Sequence, residues 1–140
     1  MKYSNIHLAV TAFVYGMDRD ASFGLICNQQ ANSDSFYYFV IRSTGEYVIG
    51  VGEPGRLDKI LTNEGAWKTS GRITKNAASY PISADCKSDG TLTLYVDGLS
   101  IDSVVDKTFK SGGVGVIVWS GETAADTDVS FDNFKVIALP

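Results

Sequence analysis

A single histidine, His7, serves the whole chain of 140 residues, and there are only two cysteines and four glutamates. Zinc sites draw on several imidazole or thiolate ligands, so zinc is excluded for want of them. A Ser-His-Asp arrangement would depend on His7 alone. That residue sits on the outward parity of the first strand pattern, beside Ala9 and Thr11, as a surface histidine does. Neither cysteine has a neighbouring histidine to generate a thiolate, which thiol catalysis requires.

Basic charge is scarce too. Twelve Lys and Arg stand against sixteen Asp and Glu, a net charge of -4, and the cations are scattered. Charge therefore argues against nucleic acid and anionic membrane as partners, because no basic excess exists to displace counterions, and we expect neither nucleic-acid binding nor membrane insertion. No run approaches the roughly 18 apolar residues of a membrane helix, which excludes helical membrane insertion. The opening "MKYSNIHLAV" is interrupted by polar residues and does not read as a signal peptide. We expect one domain over residues 1–140, excised from a larger protein.

What is present is period-two alternation almost everywhere, with turn signals at sandwich-like spacing and no helix of convincing length. Strands are expected at 5–15, 22–29, 35–42, 46–52, 56–62, 80–87, 91–96, 99–105, 113–119 and 128–137. In "TLTLYVDGLSIDS" the pair Asp97-Gly98 predicts a two-residue hairpin turn. Val96 then pairs with Leu99 and Leu94 with Ile101, which puts the large aliphatics on one face. Thr93, Tyr95, Ser100 and Asp102 share the other.

In "FYYFVIRSTGEYVIGV" a three-residue loop, Ser43-Thr44-Gly45 with Gly45 left-handed, gives the cleaner apolar face. It pairs Ile41 with Tyr47, Phe39 with Ile49 and Tyr37 with Val51. Tyr38, Val40 and Arg42 then lie opposite that face, with Arg42 across from Glu46. Cys27 and Cys86 each close an alternating run on its apolar parity. We expect a buried disulfide between them, the alternative being two small core thiols. A disulfide argues for an oxidising, extracellular or cell-surface setting. Residues 63–79 hold the longest stretch without strand pattern and are expected to cross between sheets.

In order, "FGLIC", "FYYFVIRSTGEYVIGV", a Trp, "DCKSDGTLTLYVDG", "FKSGGVGVIV" and "VSFDNFKV" resemble the bacterial concanavalin A-like, laminin G-like jelly-roll domains. The resemblance covers residues 5 to 137. It implies an all-β fold, a two-sheet antiparallel β-sandwich with one sheet concave. It also implies the range of roles of that superfamily: carbohydrate binding, adhesion and, in some branches, glycan hydrolysis.

Hydrolases of that fold place alternate Glu and Asp residues of one strand in a cleft, with carboxyls about 5–5.5 Å apart for double displacement. None of Glu46, Glu53, Glu64 and Glu122 has an acidic residue two positions away. The acidic cluster Glu122, Asp126 and Asp128 reads as a solvated loop. We therefore expect no enzymatic activity.

The resemblance also implies a place for structural calcium. Asp132 shares the parity of Phe134 and Val136, and an inward carboxylate needs a bulge, backbone donors or a cation. The cation would be completed near the first loop, at Asp18 and Asp20, since oxygen ligands from separate loops suit calcium. No cofactor is otherwise required.

The residues expected to contact a poly- or oligosaccharide are Tyr38, Arg42, Trp119 and Trp67. Trp119 falls on the parity of Gly115 and Ile117; packing under a loop is its alternative. Trp67, on the long connection, has the alternative of plugging an end of the sandwich. Expected is a carbohydrate-binding module. The rival is a structural or adhesive module that contacts protein, including other domains of a parent protein, and a glycan hydrolase stands third.

Overall fold

A computed structural model describes residues 3–15, 21–53, 56–62, 65–119 and 128–140, with the side chains of 56–58 left aside. Eleven strands follow in order: β1 Ile6–Val14, β2 Ser22–Gln29, β3 Phe36–Ile41, β4 Glu46–Glu53, β5 Arg56–Ile60 and β6 Lys68–Thr69. The rest are β7 Ser79–Cys86, β8 Thr91–Val96, β9 Leu99–Val105, β10 Gly113–Trp119 and β11 Val129–Ala138. They form two antiparallel sheets, β11-β1-β7-β8-β9 and β10-β2-β3-β4-β5, with β6 paired to the start of β4. The expected all-β jelly-roll sandwich is the observed fold. The long connection does cross from one sheet to the other, and it contributes β6 on the way.

Alternation selects the core. Ile6, Leu8, Val10 and Ala12 of β1 face Phe23, Leu25 and Cys27 of β2, with Phe39, Ile49, Ile82 and Leu94 in the same buried cluster. Each large aliphatic or aromatic group buried there contributes about 1.5–3 kcal/mol. Cys27 and Cys86 are joined, so the expected bridge exists and staples the middle of one sheet to the other.

The second hairpin has the anticipated register throughout. Ile41 pairs with Tyr47, Phe39 with Ile49 and Tyr37 with Val51. Gly45 has φ 93°, the left-handed geometry such a loop requires.

The first hairpin follows expectation only near its turn. Val96 pairs with Leu99, but an extra residue in β9 then sets Leu94 opposite Asp102. Past the bulge, Ile101 still packs against the core. Asp102, expected on the outer face, instead reaches the Tyr47 hydroxyl of the opposite sheet. Leu99 is about half exposed, so the aliphatics do not all share one face.

A second bulge corrects the parity of Asp132. Pairing of β1 with β11 runs Ala9–Lys135, then Thr11–Asp132, and Asn133 takes φ 59°. Phe131 and Val136 can thus both reach the core although an odd number of positions separates them. Asp132 is turned out to solvent, and its Oδ1 accepts the Asn133 N–H at 2.8 Å.

Candidate functional site

All four expected contact residues lie on, or pack onto, the outer face of the six-stranded sheet. Cross-strand registers set its rows. One runs Gly115, Ile26, Tyr38, Gly50 and Ile60, and the next runs Ile117, Gly24, Val40 and Val48. The next step along the strands places Trp119 beside Ser22, then Arg42, then Glu46 and Thr69. Alternation explains the grouping: 38, 40 and 42 share one side of β3, and 115, 117 and 119 share one side of β10.

This face is more apolar than an ordinary outer face. Phe36, Tyr38, Val40 and Val48 are buried, with Ile26, Ile60, Ile117 and Trp67 packed against them. That is why every residue of β3 is buried. Tyr38 is 2% exposed and lies across Gly50. It therefore serves as a wall of this second cluster rather than an accessible platform.

Trp67 does not plug an end of the sandwich. It lies on this outer face, where the Arg42 guanidinium stacks 3.6 Å above its ring. Arg42 is also held by Glu46, whose Oε1 lies 3.6 Å from Nη1 and accepts the Thr44 hydroxyl at 2.9 Å. A cation over an indole and beside a carboxylate is fixed in position. Its Nε is buried and has no acceptor among the described residues.

Trp119 stands at the free edge of the sheet and is 40% exposed. Val116 and Val118, on the other side of β10, are nearly as open. Of the four candidates, Trp119 presents an aromatic surface, Arg42 presents donors oriented by Trp67, and Tyr38 is buried in the apolar cluster of the same face.

Of the expected calcium set, only Asp132 falls among the described residues; Asp18 and Asp20 lie outside them. Asp132 is exposed, and one of its oxygens accepts the Asn133 N–H. Among the described residues no three His, Cys, Asp or Glu side chains gather as metal ligands do. In the acidic cluster, Glu122 and Asp126 lie outside the described residues, and Asp128 is exposed.

His7 lies on the outer face of the five-stranded sheet, but it is not a free surface group. Its Nδ1–H donates to Asp85 Oδ1 at 2.6 Å, while the Tyr95 hydroxyl donates to Oδ2 at 2.8 Å. Asp85 is 8% exposed. The tyrosine gives its proton to the same carboxylate, so the arrangement braces three strands rather than activating a nucleophile. Period two would have revealed it, since 7, 85 and 95 all fall on outward parity.

One feature escaped the sequence altogether: a cleft of about 530 Å³ where the loop after β2 meets the turn before β10. Its lining mixes polar side chains with Ala31 and two glycines, is irregularly spaced, and comes from segments far apart in the chain.

No protein-family model matches this sequence, and no curated protein does. Solved structures match its fold. Carbohydrate binding module CBM66 from Bacillus subtilis superposes with a TM-score of 0.74 at 16% identity, over 99% of this chain and 78% of that one. Sheep galectin-11, solved with glycerol, gives 0.64 at 8% identity over 98% and 95%. A Bacillus licheniformis β-glucanase gives 0.62 at 9% identity over 100% and 69%. The jelly-roll sandwich is shared by binding modules, lectins and a hydrolase, so the likeness speaks for the fold.

Proposed function

We propose that this domain is a non-catalytic carbohydrate-binding module, and that it takes a poly- or oligosaccharide along the Trp119 end of the outer six-stranded face. One observation carries the reading: an exposed indole, Trp119, shares a row with a clamped guanidinium, Arg42. Saccharides are amphipathic. Their C–H faces pack on aromatic rings, and their hydroxyls need fixed, directional polar partners. Arg42 supplies donors already oriented by Trp67 and Glu46, which lowers the ordering cost of binding. The fold shared with CBM66 and galectin-11 supports the same reading.

The absence of catalysis belongs to the proposal. Among the described residues the row offers one carboxylate, Glu46, already engaged by Arg42 and Thr44, whereas double displacement needs two. The Cys27–Cys86 bridge favours an oxidising compartment. Among the described residues no helix is long and apolar enough to cross a membrane. An extracellular or cell-surface setting within a larger protein fits both.

Affinity electrophoresis against a panel of neutral and acidic polysaccharides tests the reading, with Trp119→Ala alongside. Retardation by at least one polysaccharide, weakened tenfold or more in the variant with an unchanged circular-dichroism spectrum, is expected. Retardation by none overturns it. One observation favours the rival, an adhesive module: "GVGVIVW" of β10 is an edge strand without charge or proline, and Val116 and Val118 are exposed. Concentration-dependent self-association without glycan retardation would mark that outcome.

A further inference from the structure

We infer that the cleft at the far end of β2 is a second saccharide subsite, built for a neutral, polyhydroxylated sugar. The inference rests on the carbohydrate-binding reading above. The cleft lies seven residues along β2 from Ser22, the partner of Trp119, or roughly 23 Å at strand rise. Its walls are Gln29, Gln30, Ala31, Asn32 and Asp34 on one side, with Ser111 and the backbone of Gly112 and Gly113 on the other.

The walls are held before any ligand arrives. Gln30 Nε2 donates to the Ser111 and Asn28 carbonyls, both at 2.8 Å, and so clamps the two loops together. Gln30 N–H bonds the Ser35 carbonyl at 2.8 Å, and Asp34 N–H bonds that of Gln30 at 2.9 Å. Asp34 itself sits at φ 56°. Gly112 packs so tightly on Asn28 that a Cβ there would fall 2.5 Å from its carbonyl carbon. A preorganised polar site loses little entropy on binding.

The chemistry of the lining selects the ligand. The Gln29 and Asn32 amides and the Ser111 hydroxyl can donate to and accept from alcohols, and the Asp34 carboxylate accepts, as adjacent hydroxyls of a sugar require. Among the described residues no lysine or arginine lines the cleft, and Asp34 repels anions, so acidic sugars are disfavoured. No aromatic among them lines it either, so ring stacking is left to Trp119.

The test is an amide-resolved NMR titration with neutral gluco-, xylo- and fructo-oligosaccharides and, separately, oligogalacturonides. Asn32→Ala and Asp34→Asn serve as cleft variants, and Trp119→Ala as the sheet-face variant. Asn32 and Asp34 are exposed, so both cleft variants should keep the fold. Expected are shifts at Gln30, Asn32 and Gly112 with at least one neutral series and none with the oligogalacturonides. The cleft variants should weaken that binding fivefold or more. Shifts confined to the cleft uphold this inference and overturn the Trp119 reading. Shifts confined to the Trp119 indole, untouched by the cleft variants, overturn the inference alone. Silence at both ends overturns both.

Discussion

The Tyr47 hydroxyl donates to Asp102 Oδ2 at 2.7 Å, linking a strand of one sheet to an edge strand of the other. Tyr47 is almost fully buried, whereas the carboxylate sits at the rim, where the β9 bulge has turned it inward. Tyr47→Phe keeps the ring packing and removes the donor. Hydrogen bonds to a charged group contribute roughly 1.5–3 kcal/mol. A urea melt of this variant should show a loss of that size with the m-value unchanged. A loss below about 0.5 kcal/mol would mean the bond is solvent-exchanged.

Tyr37 makes the matching bond to Asp106 and receives the Phe109 N–H. Burial, reinforced by the Asp106 carboxylate, pushes its hydroxyl up to about 12. Burial and Asp102 move Tyr47 upward as well. An unfolded tyrosine titrates near 10. Above that pH the unfolded chain holds fewer protons than the native one, so stability falls as pH rises. The contribution is whole below pH 10 and is lost on approaching and passing 12. The hydrogen bond to Asp85, with burial, moves Tyr95 upward too, so phenolate absorbance should show three late-titrating tyrosines, and melting should decline over that alkaline window.

The Cys27–Cys86 bridge closes a separation of 59 residues. In the chain-entropy model a loop of that length is worth about 4 kcal/mol. Replacing both cysteines with Ala should lower the melting temperature by on the order of 10–15 °C. The outer faces should keep their shape, because the bridge lies in the core. A calorimetric scan of the double variant, with saccharide retardation measured below its transition, separates the two effects.

Legibility followed local chemistry. Ser43-Thr44-Gly45 could be read because turn type and apolar pattern demanded one register, and Cys27 and Cys86 because both fell on core parity. The same parity gathered Tyr38, Arg42 and Trp119 on one face. Both failures have one cause. An extra residue at Ile101–Asp102 and another at Asn133 each invert the parity beyond them, and nothing in the adjacent residue types announces a bulge. Trp67 sits in a connection without period, so its destination depended on the fold. The cleft combines backbone groups with residues from 29–34 and 111–113, which no local pattern relates.

Asp132 gives a prediction about metal. The inward carboxylate that would have called for a cation does not exist, because the Asn133 bulge turns it outward. A cation that binds only the native state raises its stability in proportion to its occupancy. Adding millimolar calcium, or removing it with a chelator, should leave the melting temperature unchanged. A calcium-dependent rise of several degrees, abolished by Asp132→Asn, would restore the ion.

Gly50 couples the fold to the proposed binding face. A Cβ on it would lie 2.5 Å from the Tyr38 ring and 2.6 Å from the Lys59 carbonyl. The ring end can move, but the carbonyl belongs to the next strand and cannot give without breaking pairing. Gly50→Ala should therefore cost roughly 1–3 kcal/mol, the range for overpacking. It should also disturb the apolar cluster around Tyr38, against which Trp67 packs. Gly71, which has nothing within 4 Å of a built Cβ, is the control: Gly71→Ala should stay within about 0.5 kcal/mol. Paired denaturant melts of the two variants, read with the near-ultraviolet tryptophan signal, decide it. Equal stability in both would mean that Tyr38 does not rest on Gly50 in solution, and that the apolar outer face is looser than this packing requires.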